Sequence, residues 1–286
     1  MILRKTILAV LCALAVTGCG VQGAYQDSDA KLRDSVTATS KDLKDPRTIT
    51  GVTAVTKFDE VAPITNDPKP QLPVSLQDAD GYDVEVTDVS RILPLDLYGS
   101  YSKTLTGLGL GKNIVGRTVS STEESLKDLP VVTQGGHNIN VEAVLQLQPT
   151  FVIVDHSIGP REAIDQIRDA GVTVVVMEPK RTIDAVGEDI KNVADVVGLS
   201  SEGDKLAERT KDEITKDKEA ITQLVPKDPM RMAFVYARGN GGVFFILGNG
   251  TGAKDLIEGV GGVDLAAENN LEYTTPATAE ALARIN

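Results

Sequence analysis

Beyond Tyr82, short apolar runs alternate with helix-length segments, and this alternation is what most constrains the fold. The apolar runs predict buried strands at Arg91–Leu95, Asn113–Val115, Phe151–Val154 and Val172–Met177. The segments between them predict helices at Ser102–Leu108, Val141–Leu147 and Arg161–Ala170. Strand–helix–strand alternation implies parallel strands with helices covering both faces of the sheet. Asn140 is a candidate N-cap and Gly171 a candidate C-cap for two of these helices.

Two consecutive helical stretches follow, at Thr182–Leu199 and Ser201–Leu224. The second carries many charges and few apolar residues, which is typical of a half-solvated strut rather than a core helix. A helix of this length spans roughly 36 Å at about 1.5 Å per residue. We therefore expect it to join two lobes.

A second lobe is predicted from strands at Met230–Val235 and Val243–Leu247 and a helix at Ala253–Val260. The fold class is therefore α/β, with two Rossmann-like lobes joined by a long helix, and any ligand is expected in the cleft between the lobes. A further strand is expected after Ala281–Asn286, so the second lobe is predicted to be incomplete at its C-terminus.

The first residues have the pattern of a bacterial lipoprotein signal. Arg4 and Lys5 precede the apolar run Ile7–Val16, which is too short to span a bilayer, and Val16–Cys19 fits a lipobox. Residues 1–18 are predicted to be a signal peptide, and Cys19 is predicted to be lipidated, with palmitate among its acyl chains. This places the protein on the extracytoplasmic face of the cell membrane. An ordinary secretory signal with a chance cysteine is the alternative.

Composition sets the remaining boundaries. Residues 19–80 are rich in Asp, Thr, Lys and Pro and predict a lipid-anchored disordered tether. The first lobe is assigned to residues 81–200, the bridging helix to 201–226 and the second lobe to 227–286.

Cys12 falls in the signal peptide, so no internal disulfide is expected. The net charge of −12 argues against a nucleic-acid partner.

Enzyme motifs are weak in this sequence. The segment Gly248–Ala253 matches Gly-x-Gly-x-x-Ala, with Glu268 further on, but does not open a complete strand–helix–strand unit. A tight turn into a helix accounts for it better than a dinucleotide site. The chain shows no Gly-x-Ser-x-Gly, His-Glu-x-x-His or Cys/His cluster, and we predict that it is not an enzyme.

Two histidines are candidates for a binding site. His137 follows the glycine pair Gly135–Gly136, which lets backbone approach a bulky ligand closely, and it precedes a predicted helix. His156 follows Asp155 at a strand end, where that carboxylate could hydrogen-bond it. A satisfied structural role is the alternative for each, and sequence position favours His137.

Tyr236 and Arg238 form a second candidate pair at the end of an apolar strand. Residues two apart share a face in extended chain, and a guanidinium beside a phenol favours the phenolate. Phenolate is a hard anionic donor, and tyrosine is a known axial ligand of haem iron. With His137 from the other lobe, this pair would clamp ferric haem. A packed tyrosine beside a solvated arginine is the alternative.

The run from Asn140 to Asp155 resembles the helix–strand signature of class III periplasmic-type substrate-binding proteins, which feed ABC importers. Residues 135–140 and Val235–Arg238 further resemble the haemin-binding lipoproteins of actinobacterial haem importers. The resemblance implies that His137 and Tyr236 are axial ligands to haem b iron(III), with Arg238 hydrogen-bonded to the tyrosine oxygen. Thr150 departs from the aspartate usual in the wider class.

The resemblance also implies a monomer that passes haem to an ABC permease and, through it, to an ATPase. Arg117 and Tyr98, in loops after first-lobe strands, are candidate pocket residues. Lobe-tip carboxylates that would dock on the permease are Glu123 or Glu124 and Glu268. A ferric siderophore or cobalamin carrier on the same scaffold is the main alternative. An anchored α/β enzyme using His137 or His156 with Asp155 is a further one.

Overall fold

The computed structural model describes residues 30, 33–34, 44–52, 60–238 and 243–285, except for the side chains of Arg238 and Val243. Its strands are β1 (Val74–Gln77), β2 (Asp83–Val86), β3 (Ile92–Leu95), β4 (Thr133–Gln134), β5 (Asn138–Ile139), β6 (Phe151–Asp155), β7 (Thr173–Met177), β8 (Arg231–Met232), β9 (Phe234–Arg238), β10 (Val243–Leu247), β11 (Val263–Asp264) and β12 (Thr274–Pro276). Its helices are α1 (Ser100–Gly107), α2 (Val141–Gln146), α3 (Arg161–Asp169), α4 (Val186–Val196), α5 (Ser200–Thr222), α6 (Ala253–Gly259), α7 (Leu265–Glu268) and α8 (Ala279–Arg284).

The first lobe is built on a parallel sheet in the order β3–β6–β7. Alternate strand residues enter two separate cores, because successive side chains of a strand point to opposite faces. On one face Ile153 packs with α1, α4 and α5, and on the other Val152 and Val154 pack with α2 and α3. This confirms a parallel sheet covered on both sides. The predicted strand at Asn113–Val115 is reduced to one bridge, between Ile92 and Ile114.

Local signals account for two of the helix ends. The Asn140 side chain accepts a hydrogen bond from the Ala143 amide (3.1 Å), so the predicted N-cap of α2 is confirmed. Gly171 follows α3 with φ of 87° and donates its amide to the Arg168 carbonyl, as expected for a glycine that ends a helix.

Ordered chain begins earlier than the predicted tether boundary at residue 80. The β1–β2 hairpin lies within the predicted tether, and the Ile64 amide donates to the Gly107 carbonyl (2.7 Å). Val61 and Ile64 pack against the first core. Scattered apolar residues in a proline-rich segment gave no periodic signal, and for this reason the boundary was wrong.

The long helix α5 is buried only near its start, at Gly203, Leu206 and Ala207. There it packs on α4, and the rest of it is half-buried or exposed, as predicted for a strut. Beyond it, β8 and β11 pair in parallel, whereas β9, β10 and β12 form an antiparallel sheet. Because β9 and β10 are antiparallel, the second lobe is not built from parallel strands alone. Four residues connect these strands, too few for the crossover that parallel pairing needs.

Candidate functional site

His137 lies in the turn of the β4–β5 hairpin. Gly135 and Gly136 precede it with φ of 59° and 87°, in the left-handed region that glycine adopts at low cost. The glycine pair therefore shapes the turn that carries His137, whose side chain is half-buried.

The hairpin is fixed to the loop that follows β6. The Gly159 amide donates to the His137 carbonyl (3.0 Å), and the Ile139 amide donates to the Gly159 carbonyl (2.7 Å). Because β6 ends at this edge of the sheet, these bonds hold His137 at the carboxyl ends of the parallel strands. Ligands of open α/β sheets bind at this edge.

His156 is engaged elsewhere. Its Nε2 lies 2.8 Å from Oδ1 of Asp80, which also lies 3.2 Å from Arg161 Nη2. Asp155 is not its hydrogen-bond partner among the contacts described. This geometry supports the preference for His137 as the ligand-facing histidine.

The strand ends also carry an ionic network that the sequence analysis did not identify. Asp155 accepts a hydrogen bond from the Tyr101 hydroxyl (2.6 Å) and pairs with the Arg181 guanidinium. Arg181 lies 3.6 Å from Asp96 Oδ2 as well. Asp96 directly follows β3 and Asp155 is the last residue of β6, and carboxylates at strand ends can be recognised in the sequence. Their pairing with Arg181 cannot be recognised in the sequence, because Arg181 lies far along the chain.

Burial and charge shift two pKa values in this network. Burial, reinforced by the Asp155 carboxylate, raises the pKa of Tyr101, so its hydroxyl stays protonated and donates. For Arg181, burial alone would lower the pKa, but its hydrogen bond and charge interaction with Asp155 outweigh burial and raise it. The network therefore holds a permanent cation beside two buried carboxylates.

The two predicted pocket residues have different environments. Tyr98 lies three residues after the end of β3, is 56% exposed, and carries the Arg181 guanidinium 4.6 Å from its ring centroid. Arg117 is half-buried and donates to the carbonyl oxygens of Thr118, Ser121 and Lys127. Its guanidinium thus holds its own loop together, which leaves Tyr98 as the better candidate for ligand contact.

In the second lobe, Tyr236 lies in the middle of β9 and is 44% exposed. It was expected where a parallel strand ends, but β9 continues through position 238 and pairs with β10. Because the extended geometry persists, positions 236 and 238 lie on one side of the strand, as predicted. The Arg238 side chain lies outside the described part of the protein.

The candidate docking carboxylates also differ. Glu123 is 7% exposed and accepts a hydrogen bond from the Ser102 hydroxyl (2.7 Å), so it faces inward and not toward a partner. Glu124 is exposed and pairs with Lys127, and Glu268 is accessible and pairs with Arg231 (2.9 Å). Glu124 and Glu268 are therefore the accessible members of this set.

Two of the cavities in the described part of the chain lie away from His137 and Tyr236. The larger has a volume of about 400 Å³ and lies among β1, the end of β7 and α4. The smaller, about 230 Å³, lies among α5, α6 and residues 183–184. Neither is lined by His137 or Tyr236, so we base the site on the strand-edge geometry and not on cavity size.

Within the described ranges, no group of three or more His, Cys, Asp or Glu side chains is arranged to hold a metal ion. Over the same residues, no helix is long and apolar enough to cross a membrane.

Residues 96–286 match the family described as periplasmic binding protein. The chain belongs to this family. The assignment identifies it as a substrate-binding protein and not an enzyme, and it confirms the two-lobed α/β fold class.

Solved structures and a curated protein agree with this assignment. The chain is similar to the haem-binding protein HmuT, with 60% identity over 85% of this chain and 79% of that one, at a TM-score of 0.81. It is also similar to the periplasmic haem-binding protein RhuT from Roseiflexus sp. RS-1, with 29% identity over 69% of this chain and 74% of that one, at a TM-score of 0.62.

A curated relative is the uncharacterized ABC transporter substrate-binding lipoprotein YvrC of Bacillus subtilis (strain 168), 28% identical over 57% of this chain. The chain spans about half (52%) of the length of that protein. HmuT has also been crystallised as variants in which a histidine, a tyrosine or an arginine is replaced by alanine.

Proposed function

We propose that this protein is an extracytoplasmic haem-binding protein that takes up ferric haem between its lobes and delivers it to an ABC importer. One observation carries the proposal: the chain is 60% identical to the haem-binding protein HmuT over most of its length. A second observation supports it, since His137 is fixed at the ligand edge of the first-lobe sheet.

His137 and Tyr236 are proposed as the axial ligands of the haem iron. The histidine, tyrosine and arginine replaced in the HmuT variants have the same order and the same spacings along the chain as His137, Tyr236 and Arg238. A neutral imidazole and a phenolate complete an octahedral ferric centre, and Arg238 would stabilise the phenolate by a hydrogen bond.

This ligand pair couples binding to the arrangement of the lobes. His137 belongs to the first lobe and Tyr236 to the second, so a haem held by both side chains bridges the cleft. The macrocycle then buries its apolar faces between the lobes. Because phenolate is a hard donor, reduction to iron(II) should weaken binding, and a titration with dithionite-reduced haem measures this directly.

Anchoring and docking complete the proposal. Cys19, outside the described residues, is proposed to carry the lipid anchor, and incorporation of labelled palmitate should be lost in Cys19→Ser.

Glu124 and Glu268 are proposed to pair with permease arginines, and the permease would transmit docking to its ATPase. Charge reversal at both positions should slow haem uptake in cells while haem affinity stays unchanged.

The proposed ligand is tested by titrating the purified protein with haemin while its visible spectrum is recorded. We expect a saturable one-to-one Soret change, with a different spectrum in His137→Ala and in Tyr236→Ala because each loses one axial donor. His156→Ala is the matched control and should retain the wild-type spectrum.

Two other outcomes would contradict the proposed ligand or the proposed histidine. A folded protein with no Soret change would favour a ferric siderophore or cobalamin, whose own donors fill the metal's coordination sphere. A His156→Ala spectrum altered as strongly as that of His137→Ala would remove His137 from the proposed ligand pair.

A further inference from the structure

Tyr98 is an exposed aromatic residue held in a fixed position at the ligand edge. Its amide donates to Oδ2 of Asp96, the residue that follows β3 (3.3 Å). The Arg181 guanidinium lies 4.6 Å from the ring centroid, within cation–π range, yet 56% of the residue remains exposed. The ring is thus supported on one side by a cation and open on another.

Arg181 is itself rigidly placed. Its guanidinium pairs with Asp155 and approaches Asp96, whose side chains are 3% and 0% exposed. Its backbone is left-handed, with φ of 50°, and is secured by Asp189, which accepts from the amides of Lys180 (3.0 Å) and Arg181 (2.8 Å). A planar guanidinium held in this way provides a firm support for a ring.

One line of contacts joins the Tyr98 loop to the His137 hairpin through the loop after β6. The Leu97 amide donates to Ser157 Oγ (3.0 Å), and two residues later the Gly159 amide donates to the His137 carbonyl (3.0 Å).

A second line of contacts runs through residues 118–121. A Cβ added at Gly99 would lie 2.6 Å from the Ser120 carbonyl oxygen, which shows how closely the two segments approach. The next residue back, Val119, is 45% exposed and donates its amide to Thr133 Oγ1 (3.3 Å), at the start of the same hairpin. Tyr98 and His137 therefore border one patch of the first lobe.

We propose that Tyr98 is the aromatic platform on which the macrocycle packs, and that Arg181 is a positioning residue that holds this ring in place. The inference rests on the proposed haem binding and adds the residues that recognise the porphyrin rather than its iron. Offset stacking of an aromatic ring on a flat π-system, together with the apolar area it buries, provides the attraction.

Iron-free protoporphyrin IX separates this role from axial ligation. The purified full-length protein is titrated with haemin and with iron-free protoporphyrin IX, and the latter is followed by porphyrin fluorescence. Tyr98→Ala should lower the affinity for both porphyrins by about tenfold, which is at the lower end of the loss expected when an aromatic stacking partner is removed. Tyr98→Phe should stay close to wild type, whereas His137→Ala should weaken haemin alone.

The positioning role of Arg181 is tested by a double-mutant cycle. Arg181→Lys keeps the charge but loses the planar fork, so it should weaken both porphyrins in the wild-type background. In a Tyr98→Ala background it should have no further effect, because the ring it supports is gone. A general structural effect of Arg181 would persist in both backgrounds.

Tyr82 supplies the matched control. It is 45% exposed and carries Arg168 at 3.9 Å from its ring centroid, but it packs beside α3 and outside the two contact lines described above. Tyr82→Ala should leave both affinities unchanged. Tyr98→Leu, which keeps apolar bulk without a ring, repeats the test in a second variant that disturbs the exposed site less.

The outcomes separate this inference from the proposed function. If the folded wild-type protein binds neither porphyrin, the proposed function fails. If haemin binds and depends on His137, but Tyr98→Ala and Tyr98→Leu bind both porphyrins as wild type does, only the platform is overturned. An equal loss in Tyr82→Ala also overturns it. Full additivity of Arg181→Lys with Tyr98→Ala overturns the positioning role.

Discussion

At the scale of single residues, Tyr101 makes stability depend on pH. Burial and the nearby Asp155 raise its pKa above the ordinary value of 10.0, so the folded protein keeps the phenol neutral where an unfolded chain would ionise it. The contribution of Tyr101 is complete below pH 10 and is lost as pH rises further, by about 1.4 kcal/mol per pH unit.

Urea unfolding of wild type and Tyr101→Phe at several pH values measures this effect. At pH near 8 the variant should be less stable by about 1 kcal/mol, because Asp155 loses a hydrogen-bond donor. At pH near 11 the wild type should have lost about 1.4 kcal/mol, since only the wild type has a tyrosine that ionises on unfolding, so the variant should be about as stable as the wild type or slightly more stable. A difference that stays constant across this range would contradict the raised pKa.

Residues whose role is set by local chain geometry were predictable. The N-cap Asn140, the helix-ending Gly171 and the glycine pair before His137 all depend on their immediate neighbours. Arg181 was missed because its role depends on carboxylates 26 or more positions away, which only the folded sheet brings together. The inward-facing Glu123 was misjudged for the same reason.

At the scale of elements, the turn of the β4–β5 hairpin makes a prediction about His137. Gly136→Ala places a Cβ at φ of 87° with no neighbour within 4 Å, so its cost comes from backbone strain alone. Replacing such a glycine costs roughly 1–2 kcal/mol or distorts the turn. We expect haemin affinity to fall, because the turn sets the direction of the imidazole.

Gly171→Ala is the matched control for this substitution. Gly171 has the same φ of 87° and likewise no neighbour within 4 Å, but it follows α3, away from the hairpin. Chemical unfolding should show a similar loss of stability in both variants, whereas haemin titration should respond only to Gly136→Ala. An equal affinity loss in the two variants would mean that the hairpin turn has no special role.

The elements of the first lobe were predicted well because each has a clear hydrophobic periodicity and recognisable residues at its ends. Predicted strands and helices from Arg91 to Leu224 match the observed ones closely, apart from the single bridge at Ile114. The second lobe was harder, because an apolar run does not reveal the direction of its pairing. The β9–β10 pair is antiparallel, so Tyr236 lies within a strand and not where one ends.

At the scale of the whole molecule, a long polar helix between two α/β segments was sufficient to predict two lobes. The helix α5 confirms this, with burial limited to its first turns where it packs on α4. How the lobes contact one another could not be predicted. One such contact is short: the Ile183 amide, between β7 and α4, donates to Asp255 Oδ2 in α6 (3.0 Å).

This contact predicts that Asp255 helps to set the relation between the lobes. A hydrogen bond to a carboxylate contributes about 1.5–3 kcal/mol, so Asp255→Ala should speed amide exchange at Ile183 by roughly tenfold or more. Haemin affinity should fall with it, because a ligand that bridges the cleft must then restore an arrangement that Asp255 had fixed. Hydrogen–deuterium exchange of peptides covering residues 178–185, with haemin titration, measures both effects.

Glu258→Ala is the control on the same helix, since Glu258 is exposed and its side chain makes only a 3.8 Å pair with Lys254 among the contacts described. It should change neither exchange nor affinity. Faster exchange at Ile183 with unchanged haemin affinity in Asp255→Ala would show that this junction is not coupled to binding. The cleft would then be set by α5 and the ligand alone, since α5 is the covalent connection between the lobes.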